Sequence, residues 1–172
     1  MAYTYSKIAT YTVGSSGVNT INFNNIPQNY TDLKVVVSGR TNNAAVYDYL
    51  IIRFNNVTAN HSSKVLYGTG AAGASTASAT DITFGGLNGD TATASTFANA
   101  EFYIPNYSGN TYKSVSQDGV EESNIASTVF AFLTAGLWAD TTPINSITLT
   151  MAFGTLFKQH TTAHLYGIKA EI

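Results

Sequence analysis

The glycines between Gly68 and Gly73 form the pattern in this sequence that most resembles a cofactor-binding motif. The run Gly68-Thr69-Gly70-Ala71-Ala72-Gly73 fits G-x-G-x-x-G and follows a predicted strand over Lys64–Tyr67. A dinucleotide site also needs a helix N-terminus facing the pyrophosphate and an acidic residue about 20 positions further on for the ribose. The residues after Gly73 are poor helix formers, and Asp81, Asp90 and Glu101 stand at the wrong offsets. We therefore interpret the glycines as a loop and expect no cofactor.

The histidines are the second candidate, as ligands of a metal ion. His160 and His164 are four residues apart, which on a helix would place both on one face. The surrounding residues predict a strand, where the same spacing separates the two side chains by about 13 Å, too far to share one ion. His61 stands alone in the sequence. We expect no metal site and histidines that are solvated near strand ends.

Acidic residues are concentrated in one segment, Asp118-Gly119-Val120-Glu121-Glu122. Calcium prefers oxygen ligands, and Asn124 would add one, but the spacing matches no calcium loop, so a solvated acidic turn is the favoured interpretation. The other carboxylates are scattered, the G-x-S-x-G nucleophile motif does not occur, and the chain has no cysteine. The sequence therefore predicts a protein that is not an enzyme.

Period-two alternation indicates the elements that carry these residues. In Ile147–Phe153 the apolar residues Ile147, Leu149, Met151 and Phe153 share one face, as in a half-buried strand. Similar alternation occurs around Ile21, Leu33 and Leu50. Further strands are predicted over Ile8–Val13, Lys64–Tyr67, Phe97–Ile104, Lys113–Gln117, Thr128–Leu137 and His164–Ile172. Nine or ten short strands in a single domain, residues 1–172, predict an all-β antiparallel sandwich, jelly-roll-like in its topology.

Turn residues separate the strands. Gly14–Gly17 is predicted to join the first two strands as a hairpin, and breaks are predicted at Pro27, at Pro105–Asn110 and at Pro143. One segment, Gly68–Ser95, is rich in Gly, Ala, Ser and Thr and is much longer than an ordinary loop. We expect it to form a long loop or arm, with a short strand around Ile82–Phe84.

Composition limits the partners. Charged residues make up 10% of the 172 residues and the formal net charge is −2, so the chain has no basic surface for nucleic acid. The N-terminus has no signal-peptide core and no stretch is apolar enough for a membrane helix, so we expect neither export by a cleaved signal nor a membrane partner. A weakly charged surface rich in Thr, Asn and Ser suits a molecule that packs against copies of itself or a larger assembly.

Tyrosine is abundant, with 11 residues, and its ring offers contact area together with a polar group. Tyr47 and Tyr49 flank Asp48 and are predicted to lie opposite the Leu50, Ile52 and Phe54 face. The N-terminal residues 1–7 form a candidate arm. The residues expected to contact a partner are Tyr3, Tyr5, Tyr47, Tyr49, Asp81 and Phe84.

Three segments together resemble small virion structural proteins of tailed bacteriophages. They are Ile26–Leu33, then Ile52–Asn56 leading into Lys64–Gly68, and finally His164–Lys169. The resemblance spans most of the chain apart from Gly68–Ser95. It implies a jelly-roll sandwich used for capsid decoration (cement) or in tail fibres, and it brings no catalytic residues.

Two functions follow as expectations. The first is a capsid decoration protein, assembled into the virion in the host cytoplasm, that binds the major capsid protein lattice and its own copies, with a trimer as one candidate form. The short chain beginning at Met1, without a fibre shaft, favours this function. The second is a tail-fibre or tail-tip adhesion module that binds host surface glycan, which the tyrosines and the low charge favour.

Overall fold

Twelve β-strands and no helix make up the part of the chain that the computed structural model describes, residues 3–124 and 130–170. The strands are β1 (Tyr3–Thr12), β2 (Ile21–Phe23), β3 (Asp32–Gly39), β4 (Tyr47–Phe54), β5 (His61–Gly68), β6 (Gly73–Ser78), β7 (Ile82–Asn88), β8 (Ala98–Ile104), β9 (Lys113–Glu121), β10 (Phe130–Trp138), β11 (Ile147–Met151) and β12 (Thr162–Ala170). The predicted all-β class is confirmed, with more strands than the expected nine or ten. The described residues contain no helix that could cross a membrane.

The strands form two antiparallel sheets. One has the order β2-β11-β4-β7, and the other begins β1-β12-β3-β8 and continues β9-β10-β5-β6. The first four strands of the larger sheet face the four-stranded sheet in the order of an eight-stranded jelly roll, in which each sheet alternates early and late strands of the chain. The strand order therefore agrees with the predicted jelly-roll-like sandwich.

Two hairpins are added to this jelly roll. The segments β5–β6 and β9–β10 are insertions between its strands, and together they form the order β9-β10-β5-β6 at one side of the larger sheet. We call these four strands the extension. Strand β9 of the extension has one buried side and one exposed side. The buried residues alternate with exposed ones and are Lys113, Val115, Gln117, Gly119 and Glu121. The extension therefore has an inner face and an outer face.

The core lies between the two sheets. Leu33, Val35 and Val37 of β3 are fully buried, as are Leu50 and Ile52 of β4. These are the residues that alternation places on inward faces. Burial of such apolar side chains is the main favourable term in folding, at roughly 25 cal/mol per Å² removed from water.

Trp138 lies where the extension meets the jelly roll and is fully buried. Its ring is 5.6 Å from that of Phe54 and stacks on His61 at 6.0 Å with an interplanar angle of 14°. The buried His61 differs from the solvated histidine that was expected, because β10 pairs His61 directly with Trp138.

The segment Gly68–Ser95 is not the predicted long loop or arm. Strand β6 and strand β7 occupy much of it, and the short strand expected around Ile82–Phe84 is the first part of β7. Residues 3–7 likewise belong to β1, which pairs with β12, and do not form an arm. Met1, Ala2, Thr128, Val129, Glu171 and Ile172, which were included in predicted elements, lie outside the described residues.

Two local expectations are also corrected. Gly14–Gly17 does form a turn, with the amide of Gly17 donating to the carbonyl of Gly14 at 3.1 Å, but it connects strands of different sheets and no hairpin. Phe153 lies beyond the end of β11 and is 60% exposed, so it does not share the buried face of Ile147. The predicted breaks at Pro27, Pro105–Asn110 and Pro143 all lie between strands.

Arg40 fastens the segment after β7 to the jelly roll. Its buried guanidinium donates to the carbonyl oxygens of Asp90, Ala92, Thr93 and Thr96 at 2.8–3.1 Å. A planar guanidinium can satisfy several acceptors at once, which a lysine ammonium cannot do with the same geometry. The Lys158–Asp90 ion pair attaches the same segment at the surface.

Candidate functional site

Six aromatic side chains form a continuous row that we call the aromatic strip: Phe153, Tyr49, Tyr47, Phe130, Phe132 and Tyr67. Alternation along β4 places Tyr47 and Tyr49 opposite the buried Leu50 and Ile52, as the sequence predicts. Strand β10 and strand β5 contribute the next three rings from the inner face of the extension. The strip therefore runs from one sheet to the other.

Neighbouring rings of the strip are in contact. The centroid distances are 5.4 Å for Phe153–Tyr49, 5.5 Å for Tyr49–Tyr47 and 5.1 Å for Tyr47–Phe130. Phe130 lies 5.5 Å from Phe132 and 6.0 Å from Tyr67. All of these values are within the range of favourable aromatic pairs, about 4.5–7 Å.

A cleft of about 340 Å³ opens along the strip, lined by Tyr47, Tyr49, Tyr67, Thr76, Phe130 and Phe132. This volume is at the lower end of the range of small-molecule sites, roughly 300–1,000 Å³. The lining is aromatic with hydroxyl groups and has no charged side chain. The cleft therefore suits an uncharged ligand with both apolar and hydroxyl surface.

Gly85 in β7 makes room for this arrangement. A Cβ atom at this position would lie 2.9 Å from two ring carbons of Phe132, and Gly85 has a φ of +86°. Glycine is the residue that adopts this conformation without strain. The pairing of β4 with β7 is irregular at the same place, between Tyr49 and Ile51, so the two sheets come together around this glycine.

Asp48 lies between Tyr47 and Tyr49 and points to the inside. Its fully buried carboxylate accepts hydrogen bonds from the Thr41 hydroxyl at 2.9 Å and from the backbone amides of Tyr49, Phe153 and Gly154 at 2.7–3.1 Å. Four donors satisfy both oxygens, so Asp48 has a structural role. It also fixes the backbone that carries Phe153, the first ring of the strip.

Glu121 is the second buried carboxyl near the strip. It is fully buried, and neither oxygen has a hydrogen-bond partner among the described residues. Burial first, and then the negative charge of Asp48, raise its pKa to about 9. Glu121 is therefore protonated at neutral pH. Burial and a hydrogen bond with Tyr47 also raise the pKa of Tyr49, so the Tyr49 hydroxyl keeps its proton.

The outer face of the extension carries exposed apolar side chains among polar ones, with Asp118 opposite Leu133 and the exposed Lys64 two positions before Leu66. We call Leu66, Val120, Leu133 and Leu137 the outer apolar face; Leu66 and Leu133 are 59% and 58% exposed and stand opposite each other in the pairing of β5 with β10. Phe132 and Tyr67, the next residues along the same strands, belong to the aromatic strip. The extension thus carries rings of the aromatic strip on its inner face and exposed leucines on its outer face.

Strand β6 is the edge of the larger sheet beside the outer apolar face. It pairs with β5 in a continuous register from Gly68↔Gly73 to Ser63↔Ser78, and no described strand pairs with its second side. Its sequence, GASTAS, contains no charge and no proline. Edge strands usually carry a charged residue, a proline or a bulge, which prevents pairing with other chains. The β6 edge lacks all three.

The structure brings together only two of the six predicted contact residues. Tyr47 and Tyr49 are in the strip, whereas Asp81 forms an ion pair with Arg53 at 3.0 Å. Tyr5 is 55% exposed on β1, with the Lys34 ammonium 5.6 Å from its ring centroid. Tyr3 and Phe84 lie in β1 and β7, and their side chains are outside the described part of the structure.

The motifs tested for chemistry have structural explanations. Gly68–Gly73 forms the turn between β5 and β6, where the amide of Thr69 donates to the carbonyl of Ala72 at 2.9 Å. His164 is 3.0 Å from the Thr10 hydroxyl and His160 lies in a turn with a φ of 72°. The predicted solvated acidic turn is wrong, because Asp118 and Glu121 are in β9. Within residues 3–124 and 130–170, no group of three potential ligands could hold a metal ion.

Sequence reasoning missed the residues of β10 on both surfaces. Phe130–Trp138 reads FAFLTAGLW, so both faces of this strand are apolar, whereas a strand with one solvated face alternates apolar and polar residues. That pattern was the available signal for a strand with a second contact surface. Nothing local to the sequence indicated that Glu121 would be buried.

The solved structures that resemble this chain include one with weak similarity. No protein family model matches the sequence, and no curated protein matches it. The crystal structure of exo-inulinase from Aspergillus awamori is 12% identical, with a TM-score of 0.44, over 97% of this chain and 29% of the exo-inulinase chain. The chain thus spans less than a third of that enzyme. The β-sandwich fold is assigned here from the strand pairing described above.

Proposed function

We propose that this chain is a structural protein of a tailed-bacteriophage virion, a decoration protein that binds the major capsid protein lattice. The outer apolar face is the observation that carries the proposal. Leu66 and Leu133 are both more than half exposed and adjacent. A cluster of exposed large apolar side chains on a protein surface is commonly covered by a partner. The three segments that resemble virion proteins of tailed bacteriophages are the reason for proposing the capsid lattice as that partner.

The edge of β6 adds a second means of attachment. Its unpaired backbone groups lie next to the outer apolar face, and Ser75 and Ala77 stand opposite Leu66 and Lys64 of β5. A strand from a lattice subunit or a neighbouring copy would pair with this edge while its apolar side chains cover the leucines. Main-chain hydrogen bonds would then give affinity and the side chains would give specificity.

The absence of cysteine from the sequence is in keeping with assembly in a bacterial cytoplasm, where thiols stay reduced. Binding to a lattice also stabilises the folded state by mass action. Stability that depends partly on neighbours is consistent with a surface that has few charges to keep molecules apart.

The test uses capsid shells of the phage that carries the gene, prepared without this chain. Wild-type protein should bind the shells and raise the temperature at which they disassemble. The double variant Leu66→Ser/Leu133→Ser should bind at least 10-fold more weakly, because it replaces the centre of the outer apolar face. Phe153→Ser is the matched control, since Phe153 is equally exposed but belongs to the aromatic strip.

Two results would overturn the proposal. Shells that do not bind the wild-type protein would exclude the lattice as its partner. Equal binding by Leu66→Ser/Leu133→Ser and the wild type would exclude the outer apolar face as the contact. The two leucines are largely exposed, so their replacement by serine should leave the fold intact, which a thermal melt of the isolated protein checks.

A further inference from the structure

We infer that the aromatic strip is a binding site for a neutral oligosaccharide, separate from the surface that attaches the chain to its assembly. The cleft along the strip has aromatic walls and four hydroxyl-bearing residues, Tyr47, Tyr49, Tyr67 and Thr76. A pyranose ring has apolar C–H faces and a rim of hydroxyl groups. Aromatic rings can contact the C–H faces of the sugar. Side-chain hydroxyls, which both donate and accept hydrogen bonds, can bind the hydroxyl groups at its rim.

The electrostatics of the site favour an uncharged sugar. None of the residues that line the cleft is charged. The Asp48 carboxylate behind the strip is fully buried and already accepts four hydrogen bonds, and Glu121 is protonated at neutral pH because its pKa is about 9. Among the described residues that line the cleft, no side chain carries a positive charge that could bind an acidic sugar. A uronate or a sialic acid would therefore lose its hydration without gaining an ion pair.

The row of rings continues from the cleft to Phe153, which does not line it. The three ring pairs from Phe153 to Phe130 have centroid distances of 5.4, 5.5 and 5.1 Å and interplanar angles of 53°, 33° and 68°, so the rings offer contact surfaces in several orientations. Phe153 is 60% exposed at one end, and Phe132 is buried at the other. The strip therefore offers stacking positions that lead from the surface into the cleft.

The site is held in place by the fold. Asp48 fixes the backbone of Phe153 through an amide hydrogen bond of 3.1 Å, and Gly85 lets the Phe132 ring pack against β7. Rings fixed before binding lose little conformational entropy when a ligand arrives. The fixed positions of these rings distinguish the aromatic strip from the outer apolar face, whose leucines are exposed on the surface.

Native affinity electrophoresis tests the inference, with dextran, mannan and galactan as neutral polysaccharides and alginate as the acidic comparison. At least one neutral polysaccharide should retard the wild-type protein. Phe153→Ala and Tyr47→Ala should each weaken that retardation at least 10-fold, whereas Leu66→Ser/Leu133→Ser should leave it unchanged. Phe153 is exposed, so Phe153→Ala gives a decisive answer even if Tyr47→Ala does not fold.

Three results would overturn the inference: no retardation by any neutral polysaccharide, retardation by alginate alone, or unchanged retardation of Phe153→Ala. The result is independent of capsid binding, because the two surfaces lie on opposite faces of β5 and β10 and are altered by different variants. A protein that binds shells but no sugar would retain the proposed function and lose this site. The reverse result would place the chain among adhesion modules, such as those of tail fibres.

Discussion

Gly85 and Phe132 approach so closely that a side chain at position 85 would enter the ring: a Cβ atom there would lie 2.9 Å from the ring carbons. Gly85→Ala should therefore lower the free energy of unfolding by about 3 kcal/mol, combining a positive φ with an overpacked contact. Chemical denaturation measures this loss. Because Phe132 lines the cleft, the variant should also weaken any binding at the strip.

Gly70 provides the control for this substitution. It has a φ of +81°, close to that of Gly85, but a Cβ atom there would meet no atom within 4 Å. Gly70→Ala should cost only about 1 kcal/mol, the cost of the backbone conformation alone. Equal losses for the two variants would show that the contact with Phe132 contributes nothing.

Glu121 predicts a pH dependence of stability. Its pKa is about 9 in the folded protein, against a usual value of 4.5. Between these pH values the folded protein holds a proton that the unfolded chain releases, so the free energy of unfolding from this group falls as the pH rises. Below pH 4.5 the carboxyl is protonated in both states and the contribution is constant.

Glu121→Gln removes this titration and keeps the shape of the side chain. The variant should be more stable than the wild type at pH 8 by about 2 kcal/mol or more, and the difference should shrink as the pH falls toward 5. Melting temperatures of both proteins between pH 5 and 9 measure it. His61, whose pKa is lowered by burial, is present in both proteins and cancels. Parallel curves would contradict a raised pKa.

Arg40 and Lys158 attach the same segment by different means, which gives a matched pair. Arg40→Lys keeps the charge but loses the planar group that contacts four carbonyl oxygens, and should cost about 3 kcal/mol. Lys158→Ala removes a half-exposed ion pair with Asp90 and should cost less than about 1 kcal/mol. Urea denaturation of the two variants compares them, and a smaller loss for Arg40→Lys would refute this account.

Asp48→Ala should be the most damaging substitution near the strip. Four donors, including the amides of Phe153 and Gly154, lose their acceptor, which we expect to cost at least about 3 kcal/mol. Thermal denaturation measures the loss of stability. Asp48→Asn is the milder comparison, because its amide oxygen still accepts part of the network. A loss below about 1 kcal/mol for Asp48→Ala would mean that water replaces the carboxylate.

Much of the fold follows from local patterns in the sequence, and the exceptions have physical causes. Alternation located β3, β4 and β11 because each has one buried face. It failed at Phe153, where the amide bonds to Asp48, a residue 105 positions away. It also failed for β6, whose small polar residues resemble a loop and which is a strand because β5 offers it a partner.

The site was predicted only in part for the same reason. Tyr47 and Tyr49 were identified because both are on one strand and their orientation follows from alternation. Phe130, Phe132 and Tyr67 join them only through the packing of the extension near β7. The burial of Glu121 likewise depends on which strands cover β9, and the sequence around it suggested an acidic turn.

The strand order also determines when the molecule can fold. Strand β12 lies between β1 and β3, and β11 lies between β2 and β4, so the early part of each sheet lacks its middle strand until the last strands have been synthesised. During translation each of the strands β1, β2, β3 and β4 therefore has an unpaired edge until β11 and β12 have been synthesised. Pairing over such long sequence separations is slow, and unpaired edges promote aggregation. We expect the nascent chain to depend on chaperones until residue 170 has left the ribosome.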